Sequence, residues 1–277
     1  MAQIVLPYFD DFLLNLQTNN YSQETLYNYE RDLEVFQDFL NDIALDFEKI
    51  DKKTLLNYKA YLFSQDRKTA KRQLGHKKLA SFSINRMLSV LRSYLKFLIK
   101  IDYPTPVAPN AIELVRTEKK HPRVGEFEQI VQLITAPNKF EKNSYVVLRN
   151  RAMLETLFAT GMRISELLSL KKDQIDNTGR IFIRGKGKKE RFVYLTERAS
   201  KHLKEYLEAR GLADSPYLFL PLRGKNAGHK DKKISPNYVE AKVKQYRELL
   251  GLNIPITVHG LRHAFATYLA ESGANPA

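Results

Sequence analysis

The first hundred residues set apolar positions at helical spacing between short polar breaks, a pattern that predicts four helices. In residues 4–20, Phe9, Phe12, Leu13 and Leu16 recur every three or four positions until Asn19-Asn20 breaks the run. Ser22 stands as N-cap of a second helix with Leu26, Tyr29, Leu33, Phe36 and Leu40 as its inner stripe. Glu24, Glu30, Asp32, Glu34 and Asp38 are expected on its outer face, turned away from any polyanion. Asp51 opens a third helix with Leu55, Tyr58 and Leu62 inward. A fourth follows Ser81 or Ser83, burying Ile84, Met87, Leu88, Leu91, Leu95 and Leu98 and showing Arg86, Ser89, Ser93, Lys96 and Lys100 on the opposite face.

The stretch Tyr103 to Pro109 holds three prolines and cannot continue a helix. With the charged residues after it, it places a linker at 109–122 between a domain 1–108 and a domain 123–277. In the second domain the pattern predicts helices over 125–136 and 144–160, and a short one after Gly161 carrying Ile164, Leu167 and Leu168 inward. Strands are expected over 180–184 and 192–195 with Gly185 and Gly187 in the turn, and a further short one at 218–220. Helices are expected over 197–210, stopped by Gly211, over 237–250 with Lys242, Lys244 and Arg247 outward, and through the stretch that holds His259, Arg262 and Tyr268. The class is mainly α with a small antiparallel β-sheet.

Charge then narrows the reading. The chain of 277 residues carries a formal net charge of +14, which suits a polyanionic partner, nucleic acid first. Its distribution says more than its total. Residues 67–78 contain Arg67, Lys68, Lys71, Arg72, Lys77 and Lys78 with no acid, and Arg86 and Lys96 extend the basic surface along the fourth helix. Lys188, Lys242 and Lys244 add candidate phosphate contacts. With no cysteine, disulfides and Cys-ligated zinc are excluded. Neither a signal peptide nor an apolar run of membrane-spanning length is found, so no membrane partner is expected.

Three stretches carry candidate chemistry: ATGMRISEL from Ala159, GKGKKER from Gly185 and HGLRHAFAT from His259. They supply Arg163, Lys186, His259 and Arg262. Phosphoryl transfer spreads negative charge over non-bridging oxygens, so its catalysis is mostly positioning and charge stabilisation. Arginine forks onto phosphate through parallel N–H bonds, histidine holds or passes a proton, and a lysine on a hairpin tip can protonate a leaving oxygen. Glu166, three after Arg163, is placed to orient the arginine or the lysine. The two guanidinium groups supply the charge, so no metal and no cofactor is expected. Taken singly, each stretch also fits an ordinary solvated helix face or turn; their order and density are what distinguish them.

In that order the three motifs resemble the tyrosine recombinase (phage integrase) family, most closely its Xer-type members, and the likeness runs over nearly the whole chain. The resemblance implies an N-terminal four-helix SAM-like core-binding domain and a C-terminal catalytic domain that close on duplex DNA as a clamp. It implies Arg163, Lys186, His259 and Arg262 as catalytic residues, with Glu166 behind them. Strands would be cut and rejoined through a 3′-phosphotyrosyl intermediate at an inverted-repeat site, by a homo- or hetero-tetramer on DNA in the cytoplasm. The role would be chromosome-dimer resolution or mobile-element integration. The family's nucleophilic tyrosine stands a few tens of residues beyond H-x-x-R, whereas 15 residues follow Arg262 here. The expectation is a chain truncated before its nucleophile, with Tyr268 in a packing role, that binds DNA without cutting it. A non-catalytic DNA-binding protein using the same clamp, and a type IB topoisomerase-like enzyme, are the competing readings.

Overall fold

Caps decide where the helices of the first unit begin. The computed structural model describes residues 4–65, 67, 78–117, 125–185, 190–211, 214–229, 231–254 and 256–271. Ser22 accepts the Thr25 amide at 3.2 Å and starts α2 (Gln23–Asp42); α1 (Phe9–Thr18) precedes it. Asp51 accepts the Thr54 amide at 2.7 Å and starts α3 (Lys52–Phe63). Each such cap stabilises its helix by about 1 kcal/mol. The fourth helix, α4 (Ser81–Lys100), buries Ile84, Leu88, Leu91, Tyr94 and Leu98 against Phe12, Leu33, Phe36, Leu40, Tyr58 and Leu62. Arg86, Ser89, Lys96 and Lys100 lie exposed on its other side.

The acidic face expected on α2 is only partly outside. Glu24 and Glu30 are exposed, but Asp32 and Asp38 are buried. The reason is tertiary: α1, α3 and α4 all pack on α2, so more than one stripe of this helix is covered. Asp32 forms an ion pair with Arg86 of α4. Burial pushes the Asp32 carboxyl up to about 6, outweighing the pull of Arg86. A carboxyl whose folded pKa exceeds its unfolded value binds more protons when folded. Stability from this group is therefore present near pH 4 and lost as pH rises through 6, by about 2–3 kcal/mol. Denaturant titrations between pH 4 and 7 should show that slope, and Asp32→Asn should flatten it; a slope unchanged in the variant would assign it to other groups.

After the prolines, a single 3-10 turn (Pro109–Ala111) leads to Ile112, which is buried in the same core. Asn85 brackets the backbone of Val115, donating to its carbonyl at 2.9 Å and accepting its amide at 2.7 Å. Arg92 donates to the Ile112 carbonyl. The contacts divide the chain into two units at residues 120 and 121.

The second unit is built around α6 (Ser144–Thr160), against which α5 (Phe127–Phe140), α8 (Glu197–Arg210) and α10 (Val258–Glu271) pack. Ala152, Met153, Leu154 and Leu157 of α6 meet Leu133, Leu203, Tyr206 and Leu261 in its core. Glu155, buried on α6, is matched by Arg151 at 2.8 Å and Arg198 at 2.7 Å. The sequence expectation stops α5 at residue 136, but the helix runs through Pro137 to Phe140. The proline gives up its own bond to the Leu133 carbonyl, yet its carbonyl still accepts the Glu141 amide that closes the helix. The remaining elements are α7 (Ile164–Ser169), β1 (Arg180–Arg184), β2 (Glu190–Tyr194) and α9 (Pro236–Leu249).

Strands β1 and β2 pair antiparallel, with Phe182 opposite Phe192 and Ile183 opposite Arg191. The expected strand at 218–220 is absent. Leu218 instead donates to the Leu170 carbonyl at 2.7 Å, and Tyr217 forms a lone bridge with Lys171, so the segment is held by a loop. Among the described residues, no helix is long and apolar enough to cross a membrane.

Candidate active site

The site begins at the end of α6. Gly161 closes that helix in the left-handed region, φ 57°, with its amide on the Leu157 carbonyl at 3.0 Å. A Cβ at this position would stand 2.2 Å from the Phe265 ring of α10. Glycine is required twice here, by the backbone angle and by the ring seated on it. Because α10 comes this close, Arg262 donates to the Gly161 carbonyl, across 101 positions of sequence.

Arg163 follows as N-cap of α7, and Glu166 sits one turn in. The Glu166 carboxylate accepts the Arg163 amide at 2.8 Å, half of a capping box, and the Arg163 guanidinium at 3.0 Å. The Glu166 side chain is 6% exposed, while that of Arg163 is 48% exposed. A second arginine reaches the same carboxylate from β2: Arg191 forks onto it, Nη1 to Oε1 at 3.2 Å and Nη2 to Oε2 at 2.7 Å. Burial alone would raise the Glu166 carboxyl, but the bonds from Arg191 and Arg163 hold it below the usual carboxylate range. Burial, with the Arg163 and Arg191 charges beside it, lowers Arg262 from its ordinary value.

Three guanidinium groups thus surround one buried carboxylate. On α10, His259 meets His263, Nε2 to Nε2 at 2.9 Å, with the rings at 86°. In that bond one ring donates and the other accepts, so the pair shares a proton at an exposed edge. The arrangement has the charge and donors to hold a phosphodiester and a group to relay a proton beside it.

Of the residues singled out in sequence, Arg163, Glu166 and Arg262 come together here, and His259 lies one helical turn before Arg262. Lys186 and Lys188 lie outside the described residues, as do Lys68, Lys71, Arg72 and Lys77. Lys78, Lys96 and Lys244 are exposed and Arg67 is half-buried. Lys242, expected outward, bonds Glu141 at 2.7 Å with its side chain 24% exposed. Lys244 lies 3.8 Å from Glu248.

Arg191 and His263 stand within the GKGKKER and HGLRHAFAT motifs, but sequence reasoning assigned neither of them a role. His263 stands four after His259, a spacing that puts both on one helix face. Arg191 alternates with exposed Phe192 along β2, which turns it inward once the strand is known to begin at Glu190.

A mainly helical chain in two units, with two arginines bonded to one buried carboxylate and a third held on the neighbouring Gly161 turn, has the charge that suits a phosphate-handling protein. Residues 9–101 match the N-terminal SAM-like domain of phage integrases, and residues 124–277 match the phage integrase family itself. The chain belongs to the phage integrase family, the tyrosine recombinases. It is 33% identical over 261 residues to tyrosine recombinase XerC of Leptospira interrogans, covering 92% of this chain and 77% of that one. To tyrosine recombinase XerD of Staphylococcus epidermidis it is 31% identical over 261 residues, covering 92% and 81%. The fold matches that of XerH site-specific recombinase bound to palindromic difH substrate in a post-cleavage complex. There the TM-score is 0.70 at 21% identity, over 99% of this chain and 81% of that one. A lambda integrase dimer bound to a COC' core site gives 0.70 at 16% identity, over 96% and 69%.

Proposed function

We propose that the protein is a site-specific recombinase of the Xer type, which grips duplex DNA between its two units and cuts and rejoins strands through a 3′-phosphotyrosyl intermediate. The observation that carries this reading is the meeting of Arg262 with the Gly161 turn, which brings the second arginine of the pattern beside the first. Arg163 and Arg262 bind the non-bridging oxygens of the scissile phosphate and stabilise the charge that builds there. His259, with His263 behind it, holds the proton that leaves the attacking hydroxyl, and Lys186 protonates the departing 5′ oxygen. Lys68, Lys71, Arg72, Lys77, Lys78, Lys96, Lys188 and Lys244 serve as phosphate contacts, with Arg67, Arg86 and Lys242 secondary. The working form is a homo- or hetero-tetramer on an inverted-repeat site, acting at the nucleoid in chromosome-dimer resolution or mobile-element integration.

We further infer that this 277-residue chain binds DNA without forming the covalent link. Of its described tyrosines, Tyr246 and Tyr206 have their hydroxyls engaged in the second unit's core, and Tyr268, 48% exposed, rests its ring on Phe127. Tyr246 bonds Glu141 at 2.5 Å, Tyr206 contacts Tyr145 at 3.3 Å, and Tyr268 stacks on Phe127 with centroids 5.3 Å apart. The test is a substrate nicked beside the scissile phosphate, run on a denaturing gel. The full-length protein should give a protein–DNA band that survives denaturation, and this chain should give none. A band from this chain that Tyr268→Phe removes would overturn the second inference. The absence of any band from the full-length protein on its own site would favour a DNA-binding protein that does not cut.

A further inference from the structure

We infer that Arg191 is a positioning residue, which occupies Glu166 so that the Arg163 guanidinium stays available to a phosphate. The inference rests on the reading of Arg163 as a phosphate-binding group and gives a role to Arg191, the last residue of the GKGKKER motif, to which that reading assigns none.

The geometry is a matter of counting acceptor sites. A carboxylate has about four lone-pair positions. Oε1 of Glu166 takes one N–H from Arg163 at 3.0 Å and one from Arg191 at 3.2 Å. Oε2 takes the Arg163 backbone amide at 2.8 Å and Arg191 Nη2 at 2.7 Å. All four positions are used. Arg163 therefore spends one N–H of its guanidinium on Glu166, and its side chain remains 48% exposed with its other donors directed elsewhere.

Remove Arg191, and two of the four positions open on a carboxylate whose side chain is 6% exposed. Water reaches such a site poorly, and the nearest strong donor is Arg163 itself. A planar fork matches a carboxylate through two parallel bonds, so Arg163 would rotate onto Glu166 and turn away from the phosphate. The backbone bond from Arg163 to Glu166 keeps the two residues within reach and makes that collapse easy. Arg191 also bonds α7 to β2, the strand that follows the motif lysine Lys186 in sequence. A second route, through the hairpin, must therefore be told apart from the first.

The experiment compares strand cleavage and DNA affinity in the full-length protein for Arg191→Leu, Arg191→Lys, Glu166→Gln and the double variant Arg191→Leu with Glu166→Gln. Misplacing a phosphate-binding group by about 1 Å costs on the order of 100-fold in rate. Arg191→Leu should slow cleavage about 10- to 100-fold, with duplex affinity within about threefold because binding is shared over many contacts. Arg191→Lys, with one donor direction in place of a fork, should fall between the two. In the double variant the neutral amide cannot hold Arg163 in a charged fork, so cleavage should recover relative to Arg191→Leu alone. A merely structural role for Arg191 would make the second change additive instead.

A substrate with a 5′-bridging sulfur, which needs no acid at the leaving group, separates the routes. Rescue of Arg191→Leu by sulfur would mean that Arg191 acts through the hairpin lysine and would overturn the inference. Wild-type cleavage by Arg191→Leu, or a further loss in the double variant, would overturn it as well. If Arg191→Leu does not fold, as judged by melting and DNA binding, Arg191→Lys carries the same comparison with and without Glu166→Gln. Arg163→Ala runs beside them. If it cleaves normally, the reading of the site falls; if it is inactive while Arg191→Leu is unaffected, only the role of Arg191 falls.

Discussion

Arg163→Ala and Arg262→Ala are each expected to lower strand cleavage by the recombinase at least about 1,000-fold while changing duplex affinity less than about tenfold. The two numbers differ because the two processes draw on different contacts. Cleavage depends on donors aimed at one phosphate, where charge builds as the bond breaks. Removing one such donor from a preorganised site typically costs about 100- to 1,000-fold in rate. Here the donor is a full cation, and its neighbour cannot replace it: Arg262 is tied to the Gly161 carbonyl and Arg163 to Glu166. Affinity is spread over many phosphates, so one missing contact removes a small share. Cleavage of nicked substrate and a parallel binding titration measure both effects. A binding loss as large as the cleavage loss would show that these arginines support the fold or the complex as a whole. Lys186→Ala should differ from both, since a substrate with a 5′-sulfur leaving group restores its cleavage only if the lysine acts as the acid.

The second large effect is that of salt. Each phosphate neutralised releases counterions, so the logarithm of affinity should fall linearly with the logarithm of salt, with a slope of about −0.9 per contact. If six to ten phosphates are engaged, affinity should drop roughly 1,000- to 100,000-fold between about 50 and 200 mM salt. The structure also ranks the contributors. Lys96 and Lys78 are exposed and should each lower the slope by about one when replaced by alanine. Lys242 is engaged by Glu141, and Arg86 by Asp32, so their replacement should change the slope less. A flat response to salt would refute the clamp, and equal effects of Lys242→Ala and Lys96→Ala would refute the ranking.

The order of these effects follows from how the chain reads at different ranges. Local signals hold up wherever a few neighbouring residues decide the outcome. Ser22 and Asp51 cap their helices because the side chain that accepts and the amide that donates are three residues apart. The inner stripe of α4 is legible because a 3.6-residue period survives any packing arrangement that covers one face. The bond between Glu166 and Arg163 lies in the same range.

The sequence by itself therefore determined the helices, the small sheet, and the residue types at the site with their order along the chain. Only the tertiary structure decided which partners those residues have. Asp32 and Asp38 look solvated on α2 until α1, α3 and α4 cover more than one of its faces. Lys242 looks free until Glu141, at the end of α5, comes within 2.7 Å. Arg191 lies 25 positions from Glu166 and shows no periodic link to it; the inward turn of β2 against α7 creates the contact. Arg262 finds the Gly161 carbonyl because Phe265 packs where any larger residue at 161 would collide. Helical period and capping are short-range and leave a trace in adjacent residues, whereas a charge pair between distant elements depends on how those elements pack. No local pattern records it.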